Sequence, residues 1–183
     1  RKRIVAQLTK YKNKDYDYVI NEAVSQQESG ADVLDVNAGL PEIDEVETLK
    51  QLVKEIQAVS SLPLQIDSSD PVAVEQAVRI YNGKPIINSV NGSKESLEAI
   101  LPIVKKYGAA VVALTLDESG IPDTAEGRFE IAEKIINTAK EYGIPKTDIL
   151  IDCLVLSAST NQDMVLETTK AITLVKSRLG VKT

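Results

Sequence analysis

The chain has 183 residues, 43% apolar and 26% charged, which suits one globular domain with a substantial core, residues 1–183. A net charge of −6, with no lysine and arginine cluster beyond Arg1-Lys2-Arg3, argues against a nucleic-acid partner, and no apolar run approaches the roughly 18 residues of a membrane span. One cysteine and no histidine leave no disulfide, no metal framework and no imidazole base, so a reducing, cytoplasmic setting is the economical expectation.

Residues 1–14 are polar and mixed, begin without the apolar run of a signal peptide, and start as if something preceded them. Residues 15–29 carry Tyr16, Val19, Ile20, Ala23 and Val24 at helical spacing, and Gly30 stands where a helix end needs positive φ. Residues 31–37 form a short apolar run that reads as a buried parallel strand. After the turn 38–41, Pro41 suits a first helical position, and Glu42, Asp44 and Glu45 favour the N-terminal dipole of a helix reaching about Ser60. A strand is predicted at 64–67, a helix from Asp70-Pro71 to about Tyr81, and a strand at 86–89. A helix follows at 94–107, closed by Gly108, and then the most strand-like stretch, 109–116. Thr124 caps a helix to about Tyr142, a strand covers 149–152, and a last helix ends near Leu179. Val181 reads as the start of another strand.

Strict alternation of strand and helix predicts a parallel sheet, either open and doubly wound or part of a barrel. No glycine-rich dinucleotide fingerprint follows any strand, which weakens the first. A (β/α)8 TIM barrel takes about 250 residues. The expected fold is therefore α/β, a barrel truncated at both ends with strands two to six present. Open sheet edges invite association, so further residues or a homodimer are expected to cover them.

Both architectures place ligands at the C-terminal strand ends, where Asp35, Asn37, Asp67, Asn88, Thr115, Asp117 and Asp152 would gather. This set has carboxylates and amides but no cation, which suits a neutral, planar ligand rich in N–H donors. A phosphate would want glycine-rich amides or Lys/Arg at these loops. Plainer roles compete. Asp70, Ser93 and Thr124 read as helix caps, Cys153 as a small buried hydrophobe, and Asp35 as a residue that orients its neighbours. Asp35, Asp67 and Asp152 could ligate Mg²⁺ or Ca²⁺, although no phosphate-binding element accompanies them. Tyr11, Tyr16 and Tyr18 could pack or flank an opening.

The segments Gly30-Ala31-Asp32-Val33-Leu34-Asp35-Val36-Asn37-Ala38-Gly39, Ile66-Asp67-Ser68, Ile87-Asn88-Ser89 and Ile151-Asp152 resemble the pterin-binding family over nearly the whole chain. Within it they are similar to the methyltetrahydrofolate methyltransferases, such as the folate-binding module of cobalamin-dependent methionine synthase. Dihydropteroate synthase, the sister enzyme, usually carries Gly-Gly-Glu-Ser-Thr-Arg-Pro where this chain has Asn37-Ala38-Gly39-Leu40-Pro41. The resemblance implies that Asp67, Asn88 and Asp152 hydrogen-bond a pterin and that Asp35 and Asn37 support the pocket floor. It implies 5-methyltetrahydrofolate as methyl donor and a cobalamin or other corrinoid on a partner domain or protein as acceptor; the residues themselves lead to no expected metal site. The family's N5-activating asparagine lies on a seventh strand and a pterin-contacting glutamate on the first. No catalytic residue is therefore expected within 1–183, which alone would be inactive. A sister pterin enzyme and a non-catalytic pterin-binding remnant are the alternative expectations.

Overall fold

The computed structural model describes residues 15–40, 43–155 and 162–183. Among them, helices and strands alternate: α1 (Asp17–Glu28), β1 (Leu34–Asn37), α2 (Glu45–Val59), β2 (Leu64–Asp67), α3 (Pro71–Ile80), β3 (Ile86–Asn91), α4 (Lys94–Tyr107), β4 (Ala110–Leu114), α5 (Ala125–Glu141), β5 (Ile149–Asp152) and α6 (Gln162–Leu174), which continues into a π-helical turn at Val175–Leu179. Within each unit neighbouring strands follow sequence order, β1 beside β2 and then β3, β4 and β5. The chain divides into two compact units, Arg1–Ile86 and Ile87–Thr183.

In the first unit, β1 and β2 pair in parallel, Leu34 opposite Leu64 and Asn37 opposite Asp67. Side chains on a strand alternate between faces. Leu34, Val36, Leu64 and Ile66 are buried on the side where α2 packs on β1 and α3 on β2. Leu49, Leu52, Val53 and Ile56 of α2, with Ala73, Val74, Ala77 and Val78 of α3, complete this aliphatic layer. The other face carries Asp35, Asn37, Gln65 and Asp67 and is open. The strand at 31–37 is thus not buried on both sides, as expected from its apolar run. It is shorter and two-faced, because every second residue is polar.

Helix starts follow the side chains that satisfy their first N–H groups. Asp70 accepts from Val72 N at 2.8 Å, with Pro71 as first helical residue. Helix α2 begins later than expected, because Asp44 is its cap, accepting from Glu47 N at 3.1 Å. Pro41 and Glu42 lie outside the described residues, as does Tyr11. Gly30 has φ +88°, as its helix end requires.

In the second unit, β4 and β5 pair in parallel, Val111 opposite Ile149 and Leu114 opposite Asp152. Val111, Ala113, Ile149 and Ile151 are buried, as are Ile131, Ala132, Ile135 and Ala139 of α5. The far edge of β5 is already met: Leu150 bridges to Lys182 in parallel, and Ile151 N donates to the Lys182 carbonyl at 2.9 Å. The strand expected at Val181 thus begins one residue later, as a single bridge. Ser93 and Thr124 cap α4 and α5, accepting from Ser96 N and Gly127 N. Helix α4 runs through Pro102, which sits on its exposed side. Among the described residues, no helix is long and apolar enough to cross a membrane.

Gly92, between β3 and α4, leaves no room for a side chain. A Cβ there would lie 2.6 Å from Ile131 Cγ2 and 3.1 Å from the Leu116 carbonyl oxygen, which itself accepts from Gly92 N at 2.7 Å. Gly92→Ala is expected to cost about 1–3 kcal/mol through this overpacking, read as a lowered urea midpoint with an unchanged slope.

Candidate functional site

The polar face of the first unit is cross-linked by its own side chains. Asn37 Nδ2 donates to Asp67 Oδ2 at 2.8 Å, while Gly39 N donates to Asn37 Oδ1 at 2.9 Å. These two bonds fix which way the amide faces and hold one oxygen of Asp67. The other, Oδ1, has no protein partner among the described residues. Asp35 is turned to Gln65, whose Nε2 donates to its Oδ1 at 2.7 Å. Gln65 was not singled out in the sequence, yet it stands two residues before Asp67 and therefore on the same face. Just beyond β2, the buried Ser68 donates to the Glu45 carboxylate and accepts from Asp70 N at 3.0 Å. The entry into α2 is thereby tied to the end of β2.

In the second unit Asp152 ends β5 with an exposed side chain. Its Oδ1 accepts from Leu154 N at 2.8 Å, and Oδ2 has no protein partner among the described residues. Its carbonyl accepts from both Thr115 N, at 3.0 Å, and Thr115 Oγ1, at 3.2 Å. Thr115 is fully buried, so it anchors the strand end instead of presenting a ligand group. Asn88 sits half-buried on β3, and its side-chain amide likewise has no protein partner among the described residues. Asp117 closes its own turn by accepting from Ser119 N at 2.8 Å.

Two carboxylates are spent on helix starts. Glu118 Oε1 accepts from Lys94 N at 2.8 Å, and that bond, with one from its own backbone N–H, holds its pKa below the usual value. Glu167 is lowered first by its bond to Lys170, 2.7 Å away, and then by Ala125 N, which donates to its Oε2 at 2.8 Å. The starts of α4 and α5, which could otherwise cradle an anion, are therefore already neutralised.

The residue that sequence reasoning missed is Arg128. It is fully buried on α5. Its Nε donates to the Pro122 carbonyl at 2.9 Å, and its Nη1 reaches the carbonyls of Cys153 and Leu154, each at 2.9 Å, and Thr168 Oγ1 at 2.6 Å. A lone arginine on a helix reads as a solvated face; only the apolar neighbours Ile131, Ala132 and Ile135 mark its side as inward. Cys153 beside it is buried, and desolvation, aided by Asp152, pushes the thiol up to about 11 against a smaller opposing pull from Arg128. Burial and this raised pKa leave little thiolate at neutral pH, which disfavours a nucleophilic role. Alkylation of Cys153 by iodoacetamide at pH 8 is expected to be slow in the folded protein and fast only in denaturant, as followed by mass spectrometry.

Tyr16 is buried, which favours packing over a place at an opening. Among the described residues no group of three or more cysteine, aspartate and glutamate side chains is placed to hold a metal ion.

Comparison with known proteins adds to this geometry. A family model described as pterin binding enzyme matches residues 7–183. The methionine synthase of Mycobacterium leprae is 34% identical over 174 residues, 90% of this chain but 14% of that protein. The methylcorrinoid:tetrahydrofolate methyltransferase of Eubacterium limosum is 33% identical over 156 residues, 84% of this chain and 57% of the relative. The chain thus spans only part of the curated relatives it matches. Among solved structures, dihydropteroate synthase from Xanthomonas albilineans in complex with 7,8-dihydropteroate superposes with a TM-score of 0.72 at 23% identity, covering 91% of this chain and 62% of that one. At that identity the likeness speaks for fold alone. It gives the chain the parallel α/β architecture of a TIM barrel, in a partial form.

Proposed function

Because the chain belongs to the pterin binding enzyme family, we propose that it binds 5-methyltetrahydrofolate and presents its N5 methyl group to a corrinoid carried on a partner domain or protein. One observation carries this reading. Asp67 Oδ1, Asp152 Oδ2 and the Asn88 amide, the three groups assigned to the pterin, have no protein partner among the described residues. Asp67 and Asp152 each have their second oxygen held by a protein N–H, so the free oxygen is aimed without cost at binding.

A pterin fits these two carboxylate acceptors and one amide. Its ring edge offers parallel N–H donors that a carboxylate accepts in pairs, and an amide serves a mixed edge. Asn37 holds Asp67 in place, Asp35 is braced by Gln65, and both support the ring from the polar face of β1 and β2. The corrinoid, when present, supplies the Co(I) pair that accepts the methyl group. Loss of the methyl group would leave N5 with the electrons of the broken N–C bond and in need of a proton. Relief of that developing charge calls for a proton or hydrogen bond at N5. The residues named here bind and orient the ring, and none of them is assigned that step.

The sister reaction, condensation of a pterin pyrophosphate with p-aminobenzoate, sheds a diphosphate. The carboxylates of Glu118 and Glu167 at the starts of α4 and α5 oppose such an anion. In the full-length protein, methyl transfer from 5-methyltetrahydrofolate to cob(I)alamin is the expected activity, followed by the corrinoid spectrum. Condensation with p-aminobenzoate in place of methyl transfer would overturn the proposal.

A further inference from the structure

We propose that Arg128 is a positioning residue for pterin binding, acting through Asp152 by locking the three-residue turn that holds its carboxylate. The proposal rests on the assignment of Asp152 to the pterin. The chain of contacts is continuous. Asp152 Oδ1 accepts from Leu154 N at 2.8 Å, so the carboxylate points wherever Leu154 places that N–H. Leu154 has φ +54°, the only positive φ of a non-glycine residue among those described. The left-handed region costs a side chain such as leucine roughly 1–2 kcal/mol, so it persists only where neighbours impose it. Arg128 is the neighbour that does so. Its Nη1 donates to the Leu154 carbonyl and to that of Cys153, each at 2.9 Å. Thr168 Oγ1 lies 3.0 Å from the same Leu154 oxygen and 2.9 Å from the Met164 carbonyl, between which it shares its one hydrogen, and is itself gripped by Arg128 at 2.6 Å.

The choice of arginine is physical. A planar guanidinium presents several donors in fixed directions, so one side chain reaches Pro122 with Nε and the turn with Nη1. Lysine, a single point of charge, cannot hold both ends. With the turn released, Leu154 returns to ordinary backbone angles, its N–H leaves Asp152, and the carboxylate swings among rotamers.

The test is a double-mutant cycle on the full-length protein, with tetrahydrofolate binding measured by calorimetry and the melting temperature of each variant recorded. Arg128→Lys is expected to weaken binding about tenfold, in the range of couplings between residues of one network. In an Asp152→Ala background the same change should alter affinity less than about twofold, because its route to the ligand is gone. Affinity losses that multiply would mean a general structural role and overturn the proposal. So would unaltered binding in Arg128→Lys while Asp152→Ala binds poorly. Unaltered binding in Asp152→Ala would instead remove Asp152 from the pterin site, and this proposal with it. Thr168→Val, which takes one grip from the same carbonyl, carries the cycle if Arg128→Lys does not fold. Loss of folding in both would make the cluster purely architectural and overturn the proposal.

Discussion

Asp67→Ala is expected to weaken binding of 5-methyltetrahydrofolate about a hundredfold and leave the melting temperature nearly unchanged. Hydrogen bonds to a charged group contribute about 1.5–3 kcal/mol each. The free oxygen of Asp67 is available to the ligand, while the other is fixed by Asn37. Losing the carboxylate removes its pairing with the ring edge and leaves a pterin N–H unpaired, about 3 kcal/mol in all. Asn37→Ala should cost less, about tenfold, because it frees the carboxylate without removing it. Isothermal calorimetry on both variants checks the order as well as the size. Stability is spared because Asp67 stands on the open face of β2, away from the aliphatic layer under α3. Affinity equal to that of the unmodified protein in Asp67→Ala would remove it from the site.

Arg128→Ala should do the reverse and damage the fold first. The side chain is fully buried, and its removal leaves the carbonyls of Pro122 and Cys153 without their donor and takes a donor from the Leu154 carbonyl and from Thr168 Oγ1. Each buried acceptor left without a donor costs about 1–3 kcal/mol, and relaxation and entering water reduce the sum to roughly 3–5 kcal/mol. Arg128→Met separates hydrogen bonding from packing. It fills much of the space and restores no donor, so its urea midpoint should fall almost as far as that of the alanine variant. A methionine variant as stable as the parent would show that volume, and not donation, is what the site requires.

The strand ends were legible because the grammar is local: an apolar run, a polar terminus, then a cap. Asp70-Pro71, Ser93 and Thr124 cap as their residue types require, and β2 and β5 end where Asp67 and Asp152 suggest. Two things were hidden for different reasons. The two-sided character of β1 is masked by the apolar run of Val33 and Leu34, although Asp35 and Asn37 already break it at every second residue. Arg128 could not be read, because its acceptors are backbone carbonyls from residues 122, 153 and 154, and backbone carries no signature in sequence. The start of α2 is ambiguous in sequence because Pro41 and Asp44 both suit a helix start, and the bond from Glu47 N decides for Asp44.

The division of β1 and β2 into an aliphatic face and an open polar one has an evolutionary consequence. Leu34, Val36, Leu64 and Ile66 are constrained by volume against the helices above them, whereas Asp35, Asn37, Gln65 and Asp67 lie on the open face and are joined in two hydrogen-bonded pairs. Selection for a new ligand can therefore rewrite the second quartet in matched pairs, Asn37 with Asp67 and Asp35 with Gln65, at little risk to folding. A library that varies those four positions together, with the first quartet held constant, should yield a high fraction of folded members with divergent ligand preferences.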